Sequence, residues 1–172
     1  ALRERSHLTF LIGGARSGKS AYAEKLTSDF PAPWRYIATA QAFDDEMRER
    51  IGIHRSRRGD EWLTVEAPLD LVGALADVPA GQPVMVDCLT LWLSNHLLAE
   101  HDIEAECGRL VKSRASPRGP WFVVSNEVGL SIVPDNALGR RFRDAQGRLN
   151  QRVAAAADRV FLMVGGIPMQ LK

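Results

Sequence analysis

Leu8-Thr9-Phe10-Leu11-Ile12-Gly13-Gly14-Ala15-Arg16-Ser17-Gly18-Lys19-Ser20 is the stretch on which the fold turns. The apolar run Leu8 to Ile12 ends in two glycines, which reads as a buried strand running into a turn. The following residues, Gly13, Gly14, Ala15, Arg16, Ser17, Gly18, Lys19 and Ser20, satisfy the phosphate-binding pattern G-x-x-x-x-G-K-[ST] in full. Glycines let the backbone curl so that successive N–H groups point at phosphate oxygens. A helix that starts there adds the positive end of its dipole. Lys19 then spans the outer phosphates of a nucleoside triphosphate, and the Ser20 hydroxyl is placed to ligate Mg²⁺. From average composition, a chance match in a chain of this length has a probability of about one in a hundred or less. The stretch predicts a nucleotide-binding protein.

The rest of the chain alternates strands with helices. Short apolar runs predict further strands at Trp34 to Ala38, Trp62 to Val65, Val84 to Val86, Trp121 to Val124 and Val160 to Val164, the last clear strand. Helical stretches lie between them: Ser20 to Leu26, Asp44 to Arg58, Leu69 to Ala76, Leu89 to Ala99, Ile103 to Ser113 and Ala137 to Ala157. Strands apolar along their length are covered on both faces, and their alternation with helices implies parallel crossovers. The expected fold is therefore α/β: a three-layer sandwich with a mostly parallel sheet, a P-loop NTPase of the RecA-like type. No repeat or interdomain linker interrupts residues 1–172, which read as one domain. Ligands of such sheets bind beyond the carboxyl ends of the strands.

Composition narrows the class. The chain has 172 residues, 45% hydrophobic and 25% charged, the balance of an ordinary globular domain. Lys plus Arg is 22 against 21 acids, a net of +1. A long nucleic-acid footprint needs a larger excess, so no nucleic-acid partner is expected. No apolar run approaches the ~20 residues of a membrane span. Ala1 to His7 is polar with mixed charge, unlike a secretory signal, and the expected compartment is the cytoplasm. Cys88 and Cys107 form no metal or redox motif, and Cys88 beside an apolar strand reads as a reduced core residue.

Two carboxylates and a histidine stand out. Asp87 ends a hydrophobic strand, where proteins with this loop place the acid that holds Mg²⁺ through water; a strand-terminal Asp is also a common turn former. Glu127 follows the Trp121 strand and offers a second carboxylate, equally readable as a loop acid. In Asp44 to Arg58 the acids lead and the bases trail, which suits a helix dipole without implying function. Arg50 and His54 are four apart and share a face. Arg55, Arg57 and Arg58 follow, and such a cationic cluster lowers a histidine's pKa and keeps the imidazole neutral and nucleophilic. On composition alone, however, the segment reads as a solvated basic helix end. Arg140 to Arg152, a second basic stretch, reads as a solvated face or as a surface for a phosphorylated substrate or a neighbouring subunit.

Three separated blocks resemble one family. GGARSGKS (Gly13 to Ser20), YIATAQAFDDEMRERIGIHRSRR (Tyr36 to Arg58) and the stretch from Asn126 to Lys172, beginning NEVGLSIVPDN, are similar to the bifunctional adenosylcobinamide kinase / adenosylcobinamide-phosphate guanylyltransferase family. The resemblance implies two reactions in cobalamin assembly. The aminopropanol hydroxyl of adenosylcobinamide is phosphorylated with ATP or GTP. GMP is then transferred from GTP onto that phosphate, through a covalent GMP-histidine, giving adenosylcobinamide-GDP and pyrophosphate. The histidine of the family's R-I-x-x-H-x-x-R-R block matches His54. By the same resemblance the nucleotide contacts include Gly13 to Ser20, Thr39, Ala40, Gln41, Arg55, Ser56, Arg57, Arg58, Glu66 and Asp87. A homotrimer is implied too.

The residues support this reading without forcing it. A phosphate loop alone explains a kinase, and a kinase of another small metabolite with a structural His54 remains the nearest alternative. A nucleic-acid-dependent ATPase module and a non-catalytic nucleotide sensor are the others. The first lacks aromatic–basic interleaving, and the second leaves the intact Lys19 and Ser20 without a purpose.

Overall fold

The computed structural model describes residues 7–41, 44–114 and 117–172. The N-terminal residues 1–6, read above as unlike a secretory signal, lie outside the described residues. One seven-stranded sheet organises the chain, in the order β3-β2-β4-β5-β1-β6-β7. Its strands are β1 His7–Gly13, β2 Trp34–Ala38, β3 Trp62–Glu66, β4 Val84–Asp87, β5 Pro120–Asn126, β6 Arg159–Val164 and β7 Ile167–Gln170. All neighbours pair in parallel except β6 and β7. The helices are α1 Lys19–Ser28, α2 Asp45–Arg57, α3 Leu71–Ala76, α4 Leu89–Leu98, α5 Ile103–Arg114 and α6 Ala137–Ala156.

Period-2 alternation sends neighbouring strand residues to opposite faces. Leu8, Phe10, Ile37, Val86 and Val123 pack with buried residues of α3, α4, α5 and α6, including Leu75, Trp92, Leu110 and Leu149. Leu11, Met85, Phe122 and Val124 turn the other way, onto Ala23, Tyr22 and Leu26 of α1. That is the three-layer α/β sandwich the sequence implies. Element bounds shift by a residue or two: α1 begins at Lys19, and α3 begins after Asp70, whose side chain caps it by accepting from Gly73 N at 2.9 Å.

The sequence reading ended the sheet at β6, and β7 corrects it. Gly165 and Gly166 have φ of 58° and 77°, and Val164 pairs with Ile167 across them. Two left-handed central residues define the tight hairpin turn that glycines favour.

The order of strands decides where the site lies. β5 stands between β1, which carries the phosphate loop, and β4, which ends in Asp87. Parallel strands bring their carboxyl ends to one edge, so Gly13, Ala38, Asp87 and Asn126 end up along the same rim.

Candidate nucleotide site

Close approaches hold the phosphate loop between β1 and α1. A Cβ on Gly13 would meet Ser17 Oγ at 2.5 Å and the Met163 carbonyl oxygen at 2.8 Å. Gly18 has φ 90° and lies so near the β6–β7 turn that a Cβ would sit 3.0 Å from Gly166 Cα. Only glycine adopts that conformation without cost. Gly166 N–H also donates to the Ser17 carbonyl at 2.9 Å, so the hairpin braces the loop. Gly14, Ala15 and Arg16 form the exposed outer side, with Arg16 left-handed at φ 55°.

Two side chains of the loop point to an anion. Lys19 is buried and donates from Nζ to the Gly14 carbonyl at 2.9 Å. Burial pulls its pKa below the ordinary lysine range, and Cys88 and Asp87 oppose part of that shift. The Ser17 hydroxyl is buried and has no hydrogen-bond partner among the described residues. A buried donor left unpaired costs free energy that a ligand oxygen removes.

Across the rim, Asp87 Oδ2 accepts from Tyr36 OH at 2.6 Å and from Ser20 Oγ at 3.4 Å. Burial, together with the Asp87 charge and hydrogen bond, pushes the Tyr36 phenol far above the usual tyrosine range, against the opposing Arg58. Tyr36 is thus a fixed donor to Asp87. The Arg58 guanidinium stacks on the Tyr36 ring at 3.5 Å. A chain of contacts therefore runs from the end of α2 to the phosphate loop: Arg58, Tyr36, Asp87, Ser20. Ser20 and Asp87 together offer the hard oxygen donors that suit Mg²⁺.

Thr39 is fully engaged inside the protein. Its hydroxyl donates to the Cys88 carbonyl at 2.7 Å and accepts from Cys88 N–H at 2.9 Å. Its N–H donates to the Asp87 carbonyl at 3.1 Å, and its own carbonyl accepts from Asn95 Nδ2 at 2.7 Å. Thr39 thereby locks the end of β2 to the end of β4 and aims Ala40 and Gln41. Cys88 is a buried free thiol whose pKa burial raises to about 11, in keeping with a reduced core residue.

Helix α2 is built differently. Asp44 caps it by accepting from Met47 N–H at 2.7 Å, and Asp45 and Glu46 occupy the positive end of its dipole. Exposed pairs Arg48–Asp45 at 3.0 Å and Arg50–Glu46 at 2.9 Å line its surface. Arg55 reaches Glu66, at the end of β3, at 3.9 Å with both groups exposed. Ser56 donates to the Ile53 carbonyl, and Arg57 is exposed. The backbone of His54 lies in the last two turns of this helix. Ile51, Arg58, Tyr36, Ala40, Asp87 and Leu91 line a cavity of about 210 Å³. A larger cavity, of about 850 Å³, lies at the opposite end of the sheet among Phe30, Pro31, Pro33, Pro83 and Pro120. Among the described residues its lining has no ionisable side chain, whereas Tyr36, Arg58 and Asp87 line the smaller one.

The structure thus gathers Gly13 to Ser20, Thr39, Ala40, Gln41, Arg58 and Asp87 on one rim, with Arg55 and Glu66 paired further along it. Sequence reasoning did not single out Tyr36, Asn95 or the Gly165-Gly166 turn. A Gly-Gly pair between apolar runs is a hairpin signal and points to the last of these. Tyr36 and Asn95 carry no such signal, because their partners are 51 and 56 residues away in sequence.

Sheet order and loop together define a P-loop nucleoside-triphosphate-binding domain. Solved structures agree on the fold: flagellar accessory protein FlaH from Methanocaldococcus jannaschii superposes with a TM-score of 0.52 at 12% identity, covering 98% of this chain and 79% of that one. The ATPase EscN from the enteropathogenic E. coli type III secretion system gives 0.54 at 13% identity, covering 93% and 43%. Sequence comparison goes further. The family model for cobinamide kinase / cobinamide phosphate guanyltransferase matches residues 9–171, and the chain belongs to that family. It is 45% identical to the bifunctional adenosylcobalamin biosynthesis protein CobP of Pseudomonas aeruginosa, over 94% of this chain and 95% of that protein. It is 39% identical to the proteins of the same description, CobU, from Salmonella typhimurium and Escherichia coli, over 96% of this chain and 99% of each.

Proposed function

We propose that this chain, as one domain spanning 1–172, performs both reactions of its family: phosphorylation of the aminopropanol hydroxyl of adenosylcobinamide with ATP or GTP, then transfer of GMP from GTP onto the resulting phosphate. The observation that carries the proposal is the contact chain Arg58–Tyr36–Asp87–Ser20, which couples the arginine-rich end of α2 to the phosphate loop. A kinase needs the loop alone. The coupling supports a site in which one bound triphosphate is reachable from both elements.

In the kinase step the acceptor oxygen bonds to the γ-phosphorus and the bond to the β,γ-bridging oxygen breaks, releasing the diphosphate. The loop N–H groups, Ser17 and Lys19 hold the phosphates, and Lys19 offsets charge on the departing oxygens. Mg²⁺, when bound by Ser20 and, directly or through water, by Asp87, supplies charge neutralisation of the phosphates. Tyr36 holds the Asp87 carboxylate toward Ser20.

In the guanylyl step a ring nitrogen of His54 bonds to the α-phosphorus of GTP and the α,β-bridging bond breaks, releasing pyrophosphate. An oxygen of adenosylcobinamide phosphate then displaces the histidine, giving adenosylcobinamide-GDP. Arg55, Arg57 and Arg58 are suited to the phosphates that leave, Ser56 supports the helix end, and Glu66 holds Arg55. Thr39 serves by fixing Ala40, which lines the cavity, and Gln41 next to it.

The assembly is a homotrimer in this reading, and exposed apolar residues support a subunit contact. Leu130 and Ile132 are 89% and 93% exposed, and Val133, Leu138, Ile167 and Met169 are exposed too. Lone apolar side chains on a surface are ordinary, but four of these fall within the nine residues 130–138, a concentration that suits a subunit contact. No helix among the described residues is long and apolar enough to cross a membrane, and the cytoplasm is the proposed compartment. The test is a product assay. Adenosylcobinamide with GTP and Mg²⁺ is expected to give adenosylcobinamide-GDP and pyrophosphate, whereas accumulation of the phosphate alone would reduce the protein to a simple kinase.

A further inference from the structure

The kinase step needs a group that takes the proton of the attacking hydroxyl. Asp87 is poorly suited, because in the reading above it serves Mg²⁺ together with Ser20, and Tyr36 and Ser20 hold its Oδ2 for that task. Glu66 lies at the end of β3, at the far edge of the sheet, and pairs with Arg55. Glu127 is placed differently. It directly follows β5, the strand between the phosphate-loop strand and the Asp87 strand. Its backbone N–H donates to the carbonyl of Gly13, the first loop residue, at 2.9 Å.

The surroundings of Glu127 are rigid. The preceding residue, Asn126, donates from its N–H to Thr90 Oγ1 at 2.8 Å, and its carbonyl accepts from Asn150 Nδ2 at 3.1 Å. Asn150 belongs to a buried network on α6: its Oδ1 accepts from Ser125 Oγ at 2.8 Å and from Gln146 Nε2 at 2.8 Å. Gln146 Nε2 also reaches Ser125 Oγ at 2.9 Å. Buried networks of this kind fix geometry. At the other side, Glu127 Oε1 accepts from Gly129 N–H at 2.7 Å, while Oε2 has no partner among the described residues. The carboxylate is held at Oε1, on a residue whose backbone is tied to the first residue of the phosphate loop.

We infer that Glu127 is the general base of the phosphorylation step, an inference that rests on the kinase reading above. Oε2 accepts the hydroxyl proton as the oxygen bonds to the γ-phosphorus. The electron pair of the broken P–O bond stays on the diphosphate. The proton then passes from Glu127 to solvent, which restores the carboxylate. Ser125, Gln146 and Asn150 are positioning residues for this base. Glu127 plays no part in formation of the GMP adduct, where the nucleophile is a ring nitrogen that needs no proton removed.

The test compares E127Q and E127D with the wild-type full chain in two reactions: phosphorylation of adenosylcobinamide by ATP, and GMP-adduct formation with GTP and Mg²⁺. Wild-type phosphorylation checks the kinase reading by itself; the ratio of variant to wild type checks Glu127. General-base removal costs about 10²–10⁴-fold, so E127Q is expected to lose at least about a hundredfold in kcat. Its KM for ATP and its adduct formation should stay within about threefold, which also shows that it folds. E127D, which keeps a carboxylate, should recover at least about tenfold over E127Q. The inference is overturned by kcat for E127Q within about tenfold of wild type, by parallel loss of adduct formation, or by E127D no better than E127Q.

Discussion

The phosphate loop and helix α2, to which the proposed mechanism gives one reaction each, are held by opposite means. The loop is constrained along its inner side: Gly13 against Ser17 and Met163, Gly18 against Gly166, Lys19 closed onto Gly14. Helix α2 is polar around most of its circumference. Its own cap and exposed ion pairs support it, and it touches the site through Ile51 and the stacked Arg58. A phosphoryl group in flight needs fixed donors, and a nucleophile that serves two successive partners needs access. The difference teaches that the packed inner side of the loop tolerates almost no change, whereas α2 is expected to tolerate change everywhere except at the residues to which the proposed mechanism gives chemistry.

The sharpest way to break this contrast is to remove chemistry from each region separately. His54→Ala is expected to abolish guanylyl transfer, by on the order of 10⁴-fold or more as for loss of other covalent nucleophiles. It should leave phosphorylation by ATP within about tenfold of wild type. Loss of both activities would mean that α2 is structural and the two regions are not separable.

Lys19→Ala is the reciprocal change. It removes the cation that offsets charge on the transferred phosphoryl group, so kinase turnover should fall well beyond tenfold, which is about 1.4 kcal/mol of barrier. Turnover that survives within about tenfold would remove Lys19 from the chemistry.

Gly18→Ala probes architecture. It places a Cβ at φ 90° and 3.0 Å from Gly166 Cα. A non-glycine residue forced into such a conformation costs about 1–3 kcal/mol, which for a domain of this size lowers Tm by roughly 2–4 °C per kcal/mol. A thermal melt that leaves Tm unchanged would show that the loop is less constrained than its contacts imply. Arg50→Ala on α2 is the matching surface change. It breaks only the exposed pair with Glu46, worth about 0.2–0.5 kcal/mol, and Tm should move by no more than about 2 °C.

The same contrast governs what the sequence could tell. The loop is legible because its chemistry is local: the glycines, Lys19 and Ser20 act within a few residues of one another, and their spacing is the mechanism. The apolar runs were legible for a similar reason, since burial on both faces leaves an unbroken signature. On α2, acids before bases is also what an idle solvated helix looks like, so only the family resemblance distinguished His54. What stayed hidden is what tertiary structure assembles. Tyr36 on Asp87, Asn95 on Thr39 and Asn150 on the Asn126 carbonyl join residues distant in sequence. The basic stretch on α6 was read as a surface. Its arginines are partly so, with Arg148 and Arg152 reaching Glu104 at 3.6 and 3.9 Å. Its buried face, Gln146 and Asn150, went unnoticed because polar residues at helical spacing look solvated.

Intact-protein mass spectrometry after incubation with GTP and Mg²⁺ tests the central claim most directly. A species heavier by one GMP is expected, with pyrophosphate released. The adduct should be labile in acid and stable in alkali, as a phosphorus–nitrogen bond is. It should map to His54 and be absent from His54→Ala. No adduct on the wild-type chain, or an adduct that persists in His54→Ala, would contradict it.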